Sequence, residues 1–317
     1  MHSFKSIAAA WLSVAILTVI GLVPHASACC SCGCLLSPEW AIQGFSSEPG
    51  FKTNLVYTYL DQHQLRSGTR KLSASEVPDG QELEAYTRNH YLTLDLAYVI
   101  NPDWSAVLQV PFIVRDHATY GEDHASYDSS STSSIGDMNL VASYQGFGAS
   151  HKLGVKFGLS LPTGAFTDTF RSGAPLDRGL QAGVGTTGVI AGVYYHDLLT
   201  KDWGYFGEAT TQAALNYRSD YQPGSAEKLS IGLRFTGIER ITPQLQVNAK
   251  ISARDLGGQS DHFNSGGTLV YLSPGVTVDL TKTLSSYAFV QLPLYQNVNG
   301  YQLAPTWILS VGIHSAF

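Results

Sequence analysis

Four cysteines, Cys29, Cys30, Cys32 and Cys34, fall within six positions, and the remaining 313 residues carry none. Thiolates at such short spacing suit a soft metal ion such as Cu(I) or Zn. No CxxC pair with a following His is present, so neither a zinc finger nor a c-type haem attachment is spelled out. In an oxidising compartment the same thiols would form disulfides, within the chain or to a partner. Rings closed by adjacent or one-apart cysteines are strained and therefore reducible. Cys29 also follows the small residues Ala26, Ser27 and Ala28. Lipidation there would lack the Leu expected at the position of Ala26. Metal clamp, disulfide tether and lipid anchor all stay open.

Two polar stretches hold further candidates. "SDHFNSGG" places Asp261, His262 and Ser265 together, the residue types of a hydrolase; "HATYGEDHASYD" gathers His117, Glu122, Asp123, His124 and Asp128, oxygen and imidazole ligands of a metal site. Neither spacing matches a known constellation. The expectation is polar loop residues and no enzyme, with an outer-membrane lipid hydrolase as the distant rival.

The elements that must position these groups are strands. Residues 1–28 read as a signal peptide: Lys5, an uncharged apolar run, then Ala26-Ser27-Ala28 before the cleavage point. A Cys-rich periplasmic tail, 29–50, would follow, and 51–317 would form the body. The formal net charge of −6 is mild and dispersed, which argues against nucleic acid as a partner. Abundant Gly (31) and Tyr (17) with only 14% charged residues favour one large all-β unit. In "LQVNAKISAR", Leu245, Val247, Ala249, Ile251 and Ala253 share one face, and Gln246, Asn248, Lys250, Ser252 and Arg254 the other. "KLGVKFGLSL" and "EKLSIGLRFT" divide the same way.

The alternating stretches are long enough to cross a bilayer, which takes about 9–11 strand residues. Short turns at 101–104, 146–151, 196–203, 240–244 and 280–283 alternate with long polar stretches at 64–85, 117–132, 164–182, 218–226, 257–266 and 298–303. That asymmetry is the outer-membrane pattern. Strands are expected at 51–63, 86–100, 104–116, 135–147, 150–163, 184–198, 203–217, 227–240, 243–256, 267–280, 284–297 and 304–317. The prediction is a transmembrane antiparallel up-and-down β-barrel of about 12 strands in the bacterial outer membrane, facing lipid outside. Its last strand, ending on Phe317, would be read by the barrel-assembly machinery. The inward set would include Asp137, Lys156, Glu208, Arg234, Lys250 and Arg254, which either line a pore or pair with one another. Lys156, Arg234, Lys250 and Arg254 would make a basic ladder for an anionic solute.

"SSIGDMNLVASYQ", "GVKFGLSLPTG" and "PLDRGLQAGVGTTGVIAGVYY" resemble a bacterial family of outer-membrane transporters named for the MetA-type pathway of phenol degradation. Gly136 and Asp137, Pro162 to Gly164, and Gly179 to Gly185 carry the likeness. The resemblance implies a transport barrel and no phenol specificity. The leading expectation is therefore a channel for passive passage of small solutes, with no required cofactor. The alternative is a non-conducting barrel that anchors a periplasmic metal or redox partner through its Cys tail.

Overall fold

The computed structural model describes residues 48–317, so the cysteine cluster and the proposed signal peptide lie outside the described residues. Thirteen strands form one antiparallel sheet: β1 (Gly50–Gly68), β2 (Arg70–Lys71), β3 (Leu83–Val99), β4 (Trp104–Tyr120), β5 (Tyr127–Ile135), β6 (Met138–Tyr144), β7 (Leu153–Leu161), β8 (Gly188–Leu198), β9 (Trp203–Ala214), β10 (Ala226–Phe235), β11 (Ile241–Ser252), β12 (Gly267–Asp279) and β13 (Leu284–Ala316). β13 pairs with β1, so the sheet closes into a barrel of eleven strands, with β2 and β5 off the ring.

The 33-residue β13 doubles back on itself. Val298 pairs with both Gly267 of β12 and Gly68 of β1. The chain reverses at Asn299 and Gly300, where Gly300 takes a left-handed φ of 56°. The two legs are bonded at their far ends, Ala316 N donating to Thr283 O at 2.9 Å. Counted by legs, the wall is crossed twelve times, as the alternation predicts. β5 and β6 are one wall passage, interrupted at Gly136 and Asp137.

The faces are inverted relative to a soluble protein. On β11, Gln244, Gln246, Asn248, Lys250 and Ser252 are buried inside, whereas Leu245 and Ile251 are exposed outside. The outer belt continues through Leu55, Leu92, Leu140, Leu159, Ile231 and Ile313. An apolar exterior with a polar interior is stable only where the surrounding solvent is hydrocarbon. Aromatic contacts mark both edges of that belt. At the short-turn end Trp104 packs on Tyr144 (4.8 Å), Trp203 on Phe235 (5.0 Å) and Phe51 on Phe317 (6.2 Å). Trp307, ten residues before Phe317 on the same leg, packs on Tyr59 at 5.4 Å. That separation matches the residues a tilted strand needs to cross.

Three expected boundaries are corrected. The stretch 117–132 is not a loop: β4 runs to Tyr120 and β5 starts at Tyr127, with those two tyrosines paired. The stretch 298–303 is the tight reversal within β13, and 64–85 begins as a continuation of β1 with the short β2 beside it. Beyond the bilayer the ladder continues in water, where no apolar-out alternation is required, so the hydropathy pattern falls silent before the strands do. Among the strand prolines, Pro293 pairs with Tyr271 where the β12–β13 register slips.

Placing a charge on the lipid face tests this orientation. Ile231→Arg, at a position 61% exposed on the outer wall, should lower the unfolding free energy in lipid vesicles by about 2–4 kcal/mol. An unchanged urea midpoint would contradict the assignment of outside and inside.

Candidate functional site

Residues 162–187, between β7 and β8, do not stay outside the barrel. Leu176, Leu180 and Ala182 are buried, and Ala182 packs with Tyr91 of β3 and Ile113 of β4. From β4 as well, Arg115 reaches into the segment, its guanidinium donating to Gln181 O (3.3 Å), to the Tyr91 hydroxyl (3.1 Å) and, through Nε, to Asn89 Oδ1 (2.5 Å). Gln181 stitches the segment internally by accepting from Asp168 N (2.9 Å) and donating to Asp168 O (3.0 Å) and Leu176 O (2.9 Å). The result is a folded constriction across the long-loop end of the lumen.

Asp137 fastens both ends of this constriction. Its Oδ1 accepts from Gly164 N at 2.9 Å and its Oδ2 from Val184 N at 2.8 Å. Thr163 Oγ1 bonds back to Gly136 O at 3.0 Å, and Gly183 N donates to Ala165 O at 2.7 Å. Gly164 and Gly183 stand backbone to backbone: a Cβ on either would come within 2.6 Å of the other's atoms. The Gly-Asp, Leu-Pro-Thr-Gly and Gly-Leu-Gln-x-Gly-x-Gly motifs thus meet at one point, for a packing reason the sequence spacing does not show.

Two cavities flank the Arg178–Leu180 turn of the constriction. The smaller, about 60 Å³, is acidic: Glu84, Asp177, Asp255 and Asp261 border it, with Arg178 the one cation among its lining residues. The larger, about 220 Å³, is bordered by Arg115, Arg178, Lys228 and Lys250 and by no carboxylate among the described residues. Arg178, shared by both, lies over the Tyr221 ring (4.7 Å) and the Phe166 ring (4.8 Å) and donates to Val184 O (2.7 Å). Asp177 keeps a water-facing edge on the acidic side. Its crowding within the mouth, and then the carboxylates of Glu82 and Asp261, raise its pKa to about 7.

The expected lumen residues are dispersed along the barrel. Lys156 and Glu208 form a buried ion pair at 2.5 Å, and the lysine also lies 5.4 Å from the Tyr194 ring. They sit on β7 and β9, two strands apart. The lysine crosses β8 over its register partner Gly192, where a Cβ would stand 3.0 Å from Lys156 Cγ. Arg234 lies near the short-turn end, its side chain against Gly204. Lys250 is buried near the long-loop end and borders the larger cavity. Arg254 leaves the wall altogether: it donates to the carbonyls of His262 and Phe263 and covers the Phe263 ring at 5.7 Å. The four cations are therefore not one ladder. Arg178 and Lys228, which gather with Arg115 and Lys250, were legible in the sequence only as isolated basic residues.

The hydrolase and metal candidates do not assemble. Ser265 Oγ accepts from Asp255 N (2.9 Å) and donates to His262 O (3.2 Å), while His262 Nδ1 donates to Asp255 O (2.6 Å). Serine and imidazole are occupied by backbone, and Asp261 bonds Asn264. His117 is buried in β4 on Thr87 Oγ1 (2.8 Å), not in a loop. Asp123 caps the turn that follows, accepting from Ala125 N and Ser126 N; those bonds and the Ser126 hydroxyl pull its pKa to about 2. No metal-holding group of His, Cys, Asp and Glu occurs among the described residues.

No family model matches this chain, and no curated protein does. Among solved structures, the COG4313 outer membrane channel from Pseudomonas putida F1 superposes with a TM-score of 0.62 at 13% identity, over 85% of this chain and 96% of that one. The fold is that of an outer-membrane barrel. The translocator domain of the autotransporter NalP from Neisseria meningitidis gives 0.47 at 13% identity, over 87% and 92%. The CymD monoaromatic hydrocarbon channel gives 0.44 at 9%, over 94% and 95%. The MetA-pathway name keeps only its motif likeness, without a matching family model.

Two outcomes follow from this geometry. Hydrogen bonds to a charged acceptor contribute about 1.5–3 kcal/mol each, so Asp137→Ala should destabilise the docked segment by about 3 kcal/mol. Amide exchange across 164–184 would then accelerate about a hundredfold while the strand amides keep their protection. The second outcome concerns Asp177. With its folded value above the unfolded 3.8, its contribution to docking, reduced by solvent screening because the residue is exposed, is complete below about pH 4 and is lost as pH rises through about 7. Segment protection, corrected for intrinsic exchange, should fall from pH 5 to pH 8, and Asp177→Asn should flatten that profile.

Proposed function

We propose that the protein is a passive outer-membrane channel for small solutes, gated in cross-section by the docked segment 162–187. The observation that carries this reading is a lumen lined by polar and charged side chains and entered at its long-loop end by a folded-in loop, with cavities of about 220 and 60 Å³ beside it. A barrel serving only as an anchor could fill its interior completely with side chains, as small barrels do, whereas cavities remain beside the docked segment here. Here Gln246, Asn248, Ser273, Gln291 and Ser310 occupy the inner wall. Charges at membrane depth are tolerated where they face a wet or paired interior, and Lys156 with Glu208 satisfies that condition. The similar Pseudomonas putida structure is itself described as an outer membrane channel.

Purified protein in planar bilayers should show discrete unitary current steps. Replacing residues 166–182 by a short Gly-Ser linker should raise the unitary conductance, because the segment occupies the cross-section. A membrane that stays silent at all voltages with both proteins, after correct folding has been verified by heat-modifiable migration, would overturn the channel reading.

A further inference from the structure

The larger cavity has three properties that no property of a bare water channel explains. First, its charge is one-sided: Arg115, Arg178, Lys228 and Lys250 border it, and no acidic residue does among the described residues. Second, Lys228 and Lys250 are direct register partners on β10 and β11. Directly opposed residues share one face of the sheet, so both lysines border the cavity from adjacent strands. Third, polar atoms at the cavity are left over. Thr186 is 1% exposed and its Oγ1 has no hydrogen-bond partner, and Arg178 Nε has none either. Unpaired buried polar groups are uncommon and point to something that completes them.

Besides Ser160, Gln181 and Gln212, most of the remaining side chains are apolar. Ile113, Ala182, Val184, Ala213, Ala214 and Ala226 supply aliphatic wall, and the Tyr91 and Tyr221 rings complete it. A cavity of about 150 Å³ already admits benzene, and this one measures about 220 Å³. A hydrated inorganic anion would leave that aliphatic wall wetted to no advantage, whereas an organic body covers it.

We infer that this cavity is a binding site for a small organic carboxylate with a compact apolar body, of about the size of benzoate. The carboxylate lies toward Lys228, Lys250, Arg178 Nε and the Thr186 hydroxyl; the body lies against the alanines and the tyrosine rings. The site deepens the channel reading, on which its place in a permeation path rests. It turns the constriction into a selectivity station, because the segment fastened by Asp137 contributes Arg178, Gln181, Ala182, Val184 and Thr186 to it.

Isothermal titration of the full-length protein in detergent with sodium benzoate, in a chloride background, tests the site without reference to conductance. Saturable one-to-one binding is expected, with benzyl alcohol (ring without charge) and acetate (charge without ring) each binding at least about tenfold more weakly. Lys228→Gln/Lys250→Gln should weaken benzoate about ten- to a hundredfold. Thr186→Val, which keeps shape and removes the hydroxyl, should weaken it by a few fold and guards against a misfolded lysine variant. Absence of saturable benzoate binding to the wild type overturns the site, as does acetate binding equal to benzoate, or benzoate affinity unmoved in both variants. The two proposals separate cleanly. A conducting protein that ignores benzoate overturns the site and leaves the channel. A protein that binds benzoate but never conducts overturns the channel and leaves the site.

Discussion

In hydrocarbon no water is available to satisfy a backbone N–H or C=O, so every strand of this protein must find partners on both sides. The two legs of β13 meet that condition by bonding to β12 on one side and β1 on the other. Phe317 N donating to Phe51 O at 2.9 Å seals the short-turn rim, where Gly50 adopts a φ of 138° and a Cβ would stand 2.7 Å from Phe317 O. Once the ring is closed, each strand has one face toward lipid and one toward the lumen. Every later feature inherits that division: the apolar belt, the aromatic edges and the concentration of Gln, Asn, Ser and charged groups inside.

Closure creates an interior that the polar side chains then have to fill without leaving charges stranded. The structure manages this in two ways. Some groups pair across the wall, as Lys156 does with Glu208, and as Asp95 does with Asn54 Nδ2 at 2.9 Å and Gln109 Nε2 at 3.0 Å. Near the long-loop end the chain itself enters, and one carboxylate holds it there. Asp137 sits at the interruption between β5 and β6, where the wall's own ladder gives way, and its two oxygens take up the two backbone amides at which the segment leaves and rejoins the wall. The glycines around it are needed because Gly164 and Gly183 approach too closely for side chains. The docked segment then divides opposite charges: carboxylates on one side of Arg178, cations on the other.

Much of the wall was legible without coordinates. Leu245, Val247 and Ile251 against Gln246, Asn248 and Lys250 predict a strand and its orientation, because a period of two has one geometric meaning and lipid forces apolar residues outward. Tyr120 and Tyr127 mark where that reading stops. They pair above the membrane, in water, where polar residues on both faces are tolerated, so a true hairpin resembles a loop. Ser265 and His262 mark another limit. Neighbours in sequence suggest chemistry, yet each finds a backbone partner first.

By itself, the sequence determined the class, the number of wall crossings, the lipid-facing set and the short-turn and long-loop ends, all of which depend on local periodicity and on the solvent outside. Only the tertiary structure decided what occupies the lumen. Asp137 meets Gly164 and Val184 across 27 and 47 positions, and Lys156 meets Glu208 across 52. Lys228 and Lys250 face each other only once β10 and β11 take their register. No short-range pattern encodes such meetings. They follow from ring closure, which places distant strands around one space and leaves their inward side chains to find one another.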